Sequence, residues 1–321
     1  MPIRFESPSL GGRGSSYLDP KGWQAGISYR RLTADEFFVG HDRRDELGPG
    51  GQPLDFNINS FTVSATYAIT ERFALSLHVP WSTGTTSRLY ADGKRHTTAA
   101  SGLGDIHLVG SVWLWDPLNV PRGNIAFGLG VKAPTGSNSR TDYSWLASGD
   151  SIRAPVDQAV QLGDGGWGII LQAEGFRRVG DRSFVYAAAD YLATTREKTN
   201  IPSPRGPQQT LAVPDVYSVR AGATTVVSPA HGVTLSLGMR QDATTRSDLI
   251  GGKDLSFRRP AIVGYVDPAM SVTSGRNTFY VNTPVRAYQN FRVDYSYKPG
   301  DRAGGGDLAR YLVFMGFTRR W

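Results

Sequence analysis

The sequence predicts an all-β fold: a transmembrane, antiparallel, up-and-down β-barrel of about 12 strands. Three observations carry this. Apolar and small polar residues alternate over segments longer than ordinary soluble strands. The connections sort strictly into short and long. Aromatic residues gather near segment ends rather than at their centres.

Alternation is clearest over 57–70, where Phe61, Val63, Ala65, Tyr67 and Ile69 share one face and Thr62, Ser64, Thr66 and Ala68 the other. Phe73 to Val79 and Val233 to Met239 repeat it. The polar face is mostly Ser, Thr, Gly and Ala, whereas a soluble sheet usually wets its outer face with large charged residues. The apolar face is therefore read as meeting lipid and the small polar face as lining a wet interior. Such segments fall at 22–32, 57–70, 72–83, 104–115, 123–133, 166–178, 182–194, 215–228, 232–241, 261–273, 277–290 and 308–321. A tilted membrane strand needs about 9–11 residues, which these lengths meet.

Short connections (Glu71; 116–122; 179–181; 229–231; 274–276) alternate with long ones (33–56, 84–103, 134–165, 195–214, 242–260, 291–307). Bacterial outer-membrane barrels have even strand numbers, short periplasmic turns and long external loops. With both termini in the periplasm, 12 strands require six long and five short connections, the observed pattern. Trp23, Tyr67, Phe73 and Trp321 then fall at the periplasmic ends, and Trp81, Trp167, Tyr191 and Tyr217 at the outer ends. Trp113 and Trp115 share the face of His107 and either point inward or follow a register shift at Gly110.

Composition narrows the function. The 321 residues include 38 glycines and 11% aromatics, unlike a disordered chain. No apolar run approaches the length of a transmembrane helix. The absence of cysteine excludes disulfides, thiol nucleophiles and Cys-ligated metals. The net charge is +7, but no run of Lys and Arg exceeds two, so nucleic acid is not an expected partner. Expected partners are outer-membrane lipid, lipopolysaccharide and a small-molecule solute. Residues 1–20 are Gly/Ser-rich without a secretion h-region. They are read as a segment outside the barrel of 21–321, either disordered in the periplasm or entering the lumen, with a signal peptide removed ahead of them.

The final stretch, Tyr311 to Trp321, resembles the aromatic-ended closing strand of bacterial outer-membrane barrels, with Arg319 departing from its apolar pattern. Gly102-Leu103-Gly104-Asp105, Lys132-Ala133-Pro134-Thr135-Gly136 and Leu162-Gly163-Asp164-Gly165 resemble the outer-membrane proteins of the phenol-degradation meta-pathway family. That resemblance implies a channel for aromatic or hydrophobic compounds; it supplies no binding residues.

Parity places Arg30, His78, Asp105, His107, Lys132, Gln172, Glu174, Asp190, Arg220, Arg240, Asp267 and Arg286 inside. These either pair with one another and fill the barrel or set selectivity along a solute path. Tyr186, Tyr265, Tyr280 and Phe184 share that face, either as a stacking surface or as packing. Enzyme chemistry is not expected. No Gly-x-Ser-x-Gly elbow or His-Glu-x-x-His motif occurs, and none of the five histidines, His41, His78, His96, His107 and His231, pairs recognisably with a serine. Neither cofactor nor metal is expected; Asp42, Asp45, Glu46 and Asp164 are read as loop carboxylates rather than calcium ligands. Asp92-Gly93 and Gly180-Asp181 read as turns, and Gly128 and Gly130 as sites of close strand approach. The expected function is passive passage of small molecules; the alternatives are a closed barrel acting as scaffold or receptor through its loops, and an outer-membrane hydrolase.

Overall fold

The computed structural model describes residues 17–203, 206–250, 258–291 and 305–321. Its staves are β1 (Trp23–Val39), β2 (Asp55–Ala68), β3 (Phe73–Leu89), β4 (Arg95–Leu103 and Ile106–Trp113), β5 (Gly123–Ala133), β6 (Gly168–Val179), β7 (Ser183–Thr194), β8 (Val216–Ser228), β9 (Val233–Thr244), β10 (Ala261–Ser274), β11 (Asn277–Asn282 and Val285–Phe291) and β12 (Gly305–Arg320). Each pairs antiparallel with the next, and β12 returns to β1 from Gln24↔Arg320 to Val39↔Gly305. The sheet is closed, so the wall has no edge strand to leave backbone groups unpaired in hydrocarbon.

The outward residues of the periplasmic half form the apolar belt. Leu129, Leu237 and Met239 are 64%, 62% and 71% exposed, values that make sense only against lipid. Trp23 packs on Tyr67 with ring centres 4.6 Å apart, and the Trp321 amide donates to Trp23 O at 2.9 Å, closing the lower rim. Higher up, Tyr29, Phe61 and Trp81 lie side by side across β1, β2 and β3, with Leu103 of β4 next to Trp81. This row is the outer limit of the belt. Trp81 thus lies in mid-strand, not at a strand end.

The staves rise well beyond that row, correcting the expected boundaries. β1 runs to Val39, β3 to Leu89 and β9 to Thr244. The eight residues of β3 above Trp81 span about 20 Å at a typical barrel tilt. Outside the membrane the pattern inverts. Arg31, Asn59 and Thr83 now point outward, while Leu32, Phe56, Ile58, Val263 and Leu312 pack inside. The expectation of a wet interior therefore fails for the outer half: with water on the outside, the apolar side chains turn to the middle.

Two staves are broken. β4 is interrupted at Gly104 and Asp105, so that its upper piece, Arg95–Leu103, pairs only with β3. β11 is interrupted at Thr283 and Pro284, where Pro284 has no N–H to give the ladder. Trp115 lies beyond β4 and is exposed, while Trp113 points inward. The long connections carry hairpins of their own, at Thr141–Trp145 with Ser151–Pro155 and at Lys198–Ser203 with Gly206–Ala212. The turn readings at Gly180 and Gly93 agree with φ values of 78° and 77°. A β-carbon at Gly130 would lie 2.6 Å from Leu108 O, so strand approach there requires glycine.

Of the N-terminal segment, residues 1–16 lie outside the described residues. Tyr17 sits against Trp113 and Phe176, with ring centres 5.0 and 5.7 Å away, and its hydroxyl donates to Val120 O at 3.2 Å. This contact is made on the side of the barrel opposite β1.

Leu129→Arg puts a charge on the lipid face near mid-belt and is expected to cost about 2–4 kcal/mol. Asn59→Arg, above the belt, should cost less than about 1 kcal/mol. Urea unfolding in lipid vesicles measures both; equal costs would misplace the belt.

Candidate functional site

Among the described residues the barrel interior shows two chambers in series, and none of these residues lines both. The inner one, about 350 Å³, opens toward the periplasm and sets small hydroxyls and larger polar groups among apolar side chains. Thr62, Ser64, Thr66 and Ser76 furnish its small hydroxyl face; His78, His107, Gln172, Glu174 and Asp190 supply larger groups. His78 and His107 lie opposite each other in the ladder. Gln172 donates to Asp190 at 2.7 Å.

The outer chamber, about 540 Å³, lies above the belt and is mainly apolar. Leu32, Phe56 and Ile58 come from β1 and β2, Val263 and Tyr265 from β10, and Leu312 from β12. Val156 and Ala159 enter from the connection after β5, which folds inward past its hairpin, and Ile201 and Leu211 come from the second hairpin. Among this lining, Thr86 and Gln158 are buried with side-chain polar atoms that have no hydrogen-bond partner.

Between the chambers lies a layer that lines neither. Arg240 precedes Asp242 of the outer chamber by two residues and donates to it at 2.9 Å. Its guanidinium lies 5.1 Å from the centre of the Phe314 ring. Beside them Arg220 pairs with Asp267 at 3.2 Å, and Asp267 also accepts from Asn282 at 3.0 Å. All of these groups are buried and partnered, as buried charges must be.

The inward connection is anchored by the three glycine-rich stretches, which converge on one point. Lys132 Nζ donates to Asp105 at 2.9 Å, to Asp164 at 2.7 Å and to Gly166 O at 2.7 Å. Asp105 also accepts from Gly136 N at 2.9 Å, and Thr135 Oγ1 accepts from Ile106 N at 2.9 Å while donating to Gly104 O at 2.8 Å. A β-carbon at Gly163 would lie 2.5 Å from both Asp105 and Gly136 O. The break in β4 thus supplies the carboxylate that ties β5 to the inward segment. Gln161 completes the tie: its Oε1 accepts from Arg140 N at 3.0 Å and its Nε2 donates to Arg140 O at 2.9 Å.

The candidate residues therefore separate into four groups. Arg30 and Tyr265 line the outer chamber; His78, His107, Gln172, Glu174, Asp190 and Tyr280 line the inner one. Arg220, Arg240 and Asp267 form the dividing layer. Asp105 and Lys132 make the anchor, at the edge of the inner chamber. Arg286 lies apart, at the outer rim, paired with Glu36 and stacked over Phe38 at 4.4 Å. Tyr186 is buried near Gly222 and Gly238, and Phe184 lies under Arg178. Asp45 and Glu46 are engaged by Arg43 and Arg44, and hydrogen bonding to the Arg43 guanidinium holds the Asp45 carboxyl below its usual range. Asp164 belongs to Lys132. The residues missed are the inward apolar ones, Leu32, Phe56, Ile58, Val160, Leu312 and Phe314. Their signal is a phase reversal within single strands: Phe56 and Ile58 occupy even positions, Phe61, Val63 and Tyr67 odd ones.

The architecture has solved counterparts. An outer membrane channel from Pseudomonas putida F1 matches with a TM-score of 0.67 over 96% of this chain and 99% of that one, at 15% identity. The chain has the fold of an outer-membrane β-barrel. A Pseudomonas aeruginosa FadL homologue matches with a TM-score of 0.44, 10% identity and coverage of 94% and 90%. The P. putida toluene transporter TodX gives 0.43, 8%, 94% and 91%. No family model and no curated protein matches the sequence. At these identities the likeness is one of fold.

Lys132→Met would strand two buried carboxylates and is expected to cost about 3–5 kcal/mol. Adding Asp105→Asn and Asp164→Asn should recover most of that loss, because no uncompensated charge then remains. The urea midpoint of the folded barrel reports both; no recovery in the triple variant would mean that the charges are not the reason for the cost.

Proposed function

We propose that the protein is an outer-membrane channel through which small apolar or aromatic molecules pass, each held first in the outer chamber and released through the inner one. The observation that carries this reading is the pair of successive chambers inside one closed wall, the outer lined by large apolar side chains and the inner by smaller and more polar ones. A pore for sugars or ions has no use for an outer cavity lined by Leu32, Phe56, Ile58 and Leu312. A scaffold that displays loops has no use for a hollow centre. The similar barrel from P. putida is an outer membrane channel, and the glycine-rich stretches resemble the meta-pathway family, which agrees with an aromatic solute.

In this reading the lipopolysaccharide leaflet resists apolar solutes, and the outer chamber offers them a dry cavity reached from outside. Burial stabilises a solute by about 25 cal/mol per Å² of apolar surface. A benzene-sized molecule thus gains a few kcal/mol, enough for capture but weak enough for release. The inner chamber, with Ser, Thr and ionisable side chains in its wall, then passes the solute toward the periplasm. The controlling step is the layer of Arg240, Phe314 and the Arg220–Asp267 pair.

Uptake of a radiolabelled alkylbenzene is expected to rise several-fold in cells carrying the protein in an intact outer membrane. Phe314→Ala should raise ion conductance in planar bilayers, because it opens the dividing layer. Unchanged uptake in cells with properly folded protein would sink the channel reading.

A further inference from the structure

One wall of the outer chamber carries polarity that its apolar lining does not explain. The inward positions on the outer half of β3 are Gly84, Thr86 and Arg88. A β-carbon at Gly84 would meet Val160 at 3.0 Å, so the inward connection lies on this wall. Thr86 is 2% exposed and its hydroxyl has no hydrogen-bond partner. Arg88, half-buried at the mouth, holds its guanidinium 4.4 Å from the centre of the Tyr90 ring. Among the described residues no carboxylate lies within 4.0 Å of it. Asp92, four positions on, is taken by His96 at 2.7 Å, whose ring stacks on Trp145 with centres 3.9 Å apart.

Most other charged groups around the chamber are engaged, although one Asp307 carboxylate oxygen is buried without a hydrogen-bond partner. Asp242 holds Arg240, and Arg258 holds Asp248 at 2.7 Å. Asp157 accepts from Ala159 N at 2.8 Å, and Asp307 from Leu54 N at 2.9 Å. Arg30 donates to Ser60, 3.4 Å away. Arg88 differs from all of these in having an aromatic face as its one described contact. A guanidinium lying over a ring keeps its N–H edge free for an acceptor in its plane.

We propose that the outer chamber binds small apolar molecules bearing one carboxylate, aromatic monocarboxylates first among them. The apolar body lies against Phe56, Ile58 and Val156. The carboxylate faces the mouth and accepts from Arg88 and from the Thr86 hydroxyl. This rests on the channel reading only in taking the chamber as the place where the solute is held. A charge-assisted hydrogen bond is about twice as strong as a neutral one, which sets a preference of roughly tenfold over an uncharged isostere. Arg88 is half-exposed, so the preference shrinks as salt rises.

The test is equilibrium dialysis of the full chain in lipid nanodiscs, with protein-free nanodiscs as the reference for partition. The probes are 4-methylbenzoate and 4-methylbenzamide, alike in shape and different in charge. The wild type is expected to bind the carboxylate roughly tenfold more tightly. Arg88→Gln should bring the two within about twofold, chiefly by weakening the carboxylate; Arg88→Lys, which keeps the charge, should retain part of the preference. Equal binding of both probes by the wild type, or a preference that survives Arg88→Gln, overturns the proposal. If neither probe binds while alkylbenzene uptake persists, the proposal falls and the channel reading stands; if uptake fails as well, both fall.

Discussion

Hydrocarbon cannot hydrogen-bond a peptide group, and the rest of this structure follows from that constraint. Every N–H and C=O within the belt must find a partner in the chain, and a sheet does this only when its last strand meets its first. The pairing of β12 with β1 over nearly their whole length is therefore a condition of the fold. Once the wall is closed, each side chain faces either lipid or the interior. The alternation in the sequence becomes a statement about two solvents, and the interior becomes a confined volume that must be filled, hollowed or paired.

That constraint explains why the strand count, the direction of the alternation and the sorting of connections were legible in the residues. Strands within the belt obey one rule, apolar outward, and twelve such segments could be counted. The same constraint explains where reading failed. Above the Tyr29–Phe61–Trp81 row the outer solvent changes from lipid to water, and apolar residues move to the opposite parity. A strand such as β2 then carries two phases, Phe56 and Ile58 in one and Phe61 to Tyr67 in the other. Read with a single phase, its outer third resembles a polar loop. The segment 84–103, expected as a loop, is for this reason largely strand. The outer chamber escaped notice because its apolar lining stands in the parity assigned to a wet interior.

The charged inward residues could be placed by parity but not grouped. Parity says that Asp105 and Lys132 face inward; it does not say that Asp164, 32 residues beyond Lys132, folds back to meet them. The glycines hold that information in a form that single-sequence reading extracts poorly. Gly136 and Gly163 are needed because backbone and carboxylate approach within the volume of a methyl group. Each is a loop glycine in isolation. Their joint meaning is that the connection after β5 turns inward, so that Val156, Val160 and Leu162 pack inside the barrel.

The dividing layer shows how a closed interior can be both rigid and passable. Arg220 and Asp267 form a buried pair, and Asn282 satisfies a further carboxylate lone pair. Separating such a pair leaves two desolvated charges, at a cost of several kcal/mol, so this side of the layer stays fixed. Arg240 is different. Its ion pair with Asp242 lies on its own strand, two residues away, and it can keep that partner while its far side leaves Phe314. Its contact with the Phe314 ring is a cation–π interaction worth about 0.5–2 kcal/mol. Under the proposed channel function, a shift of the Phe314 ring is the change that would open this layer. It would disturb neither the anchor at Lys132 nor the hydrogen-bonded wall, so a solute passing this way would leave intact the ladder that keeps the barrel folded.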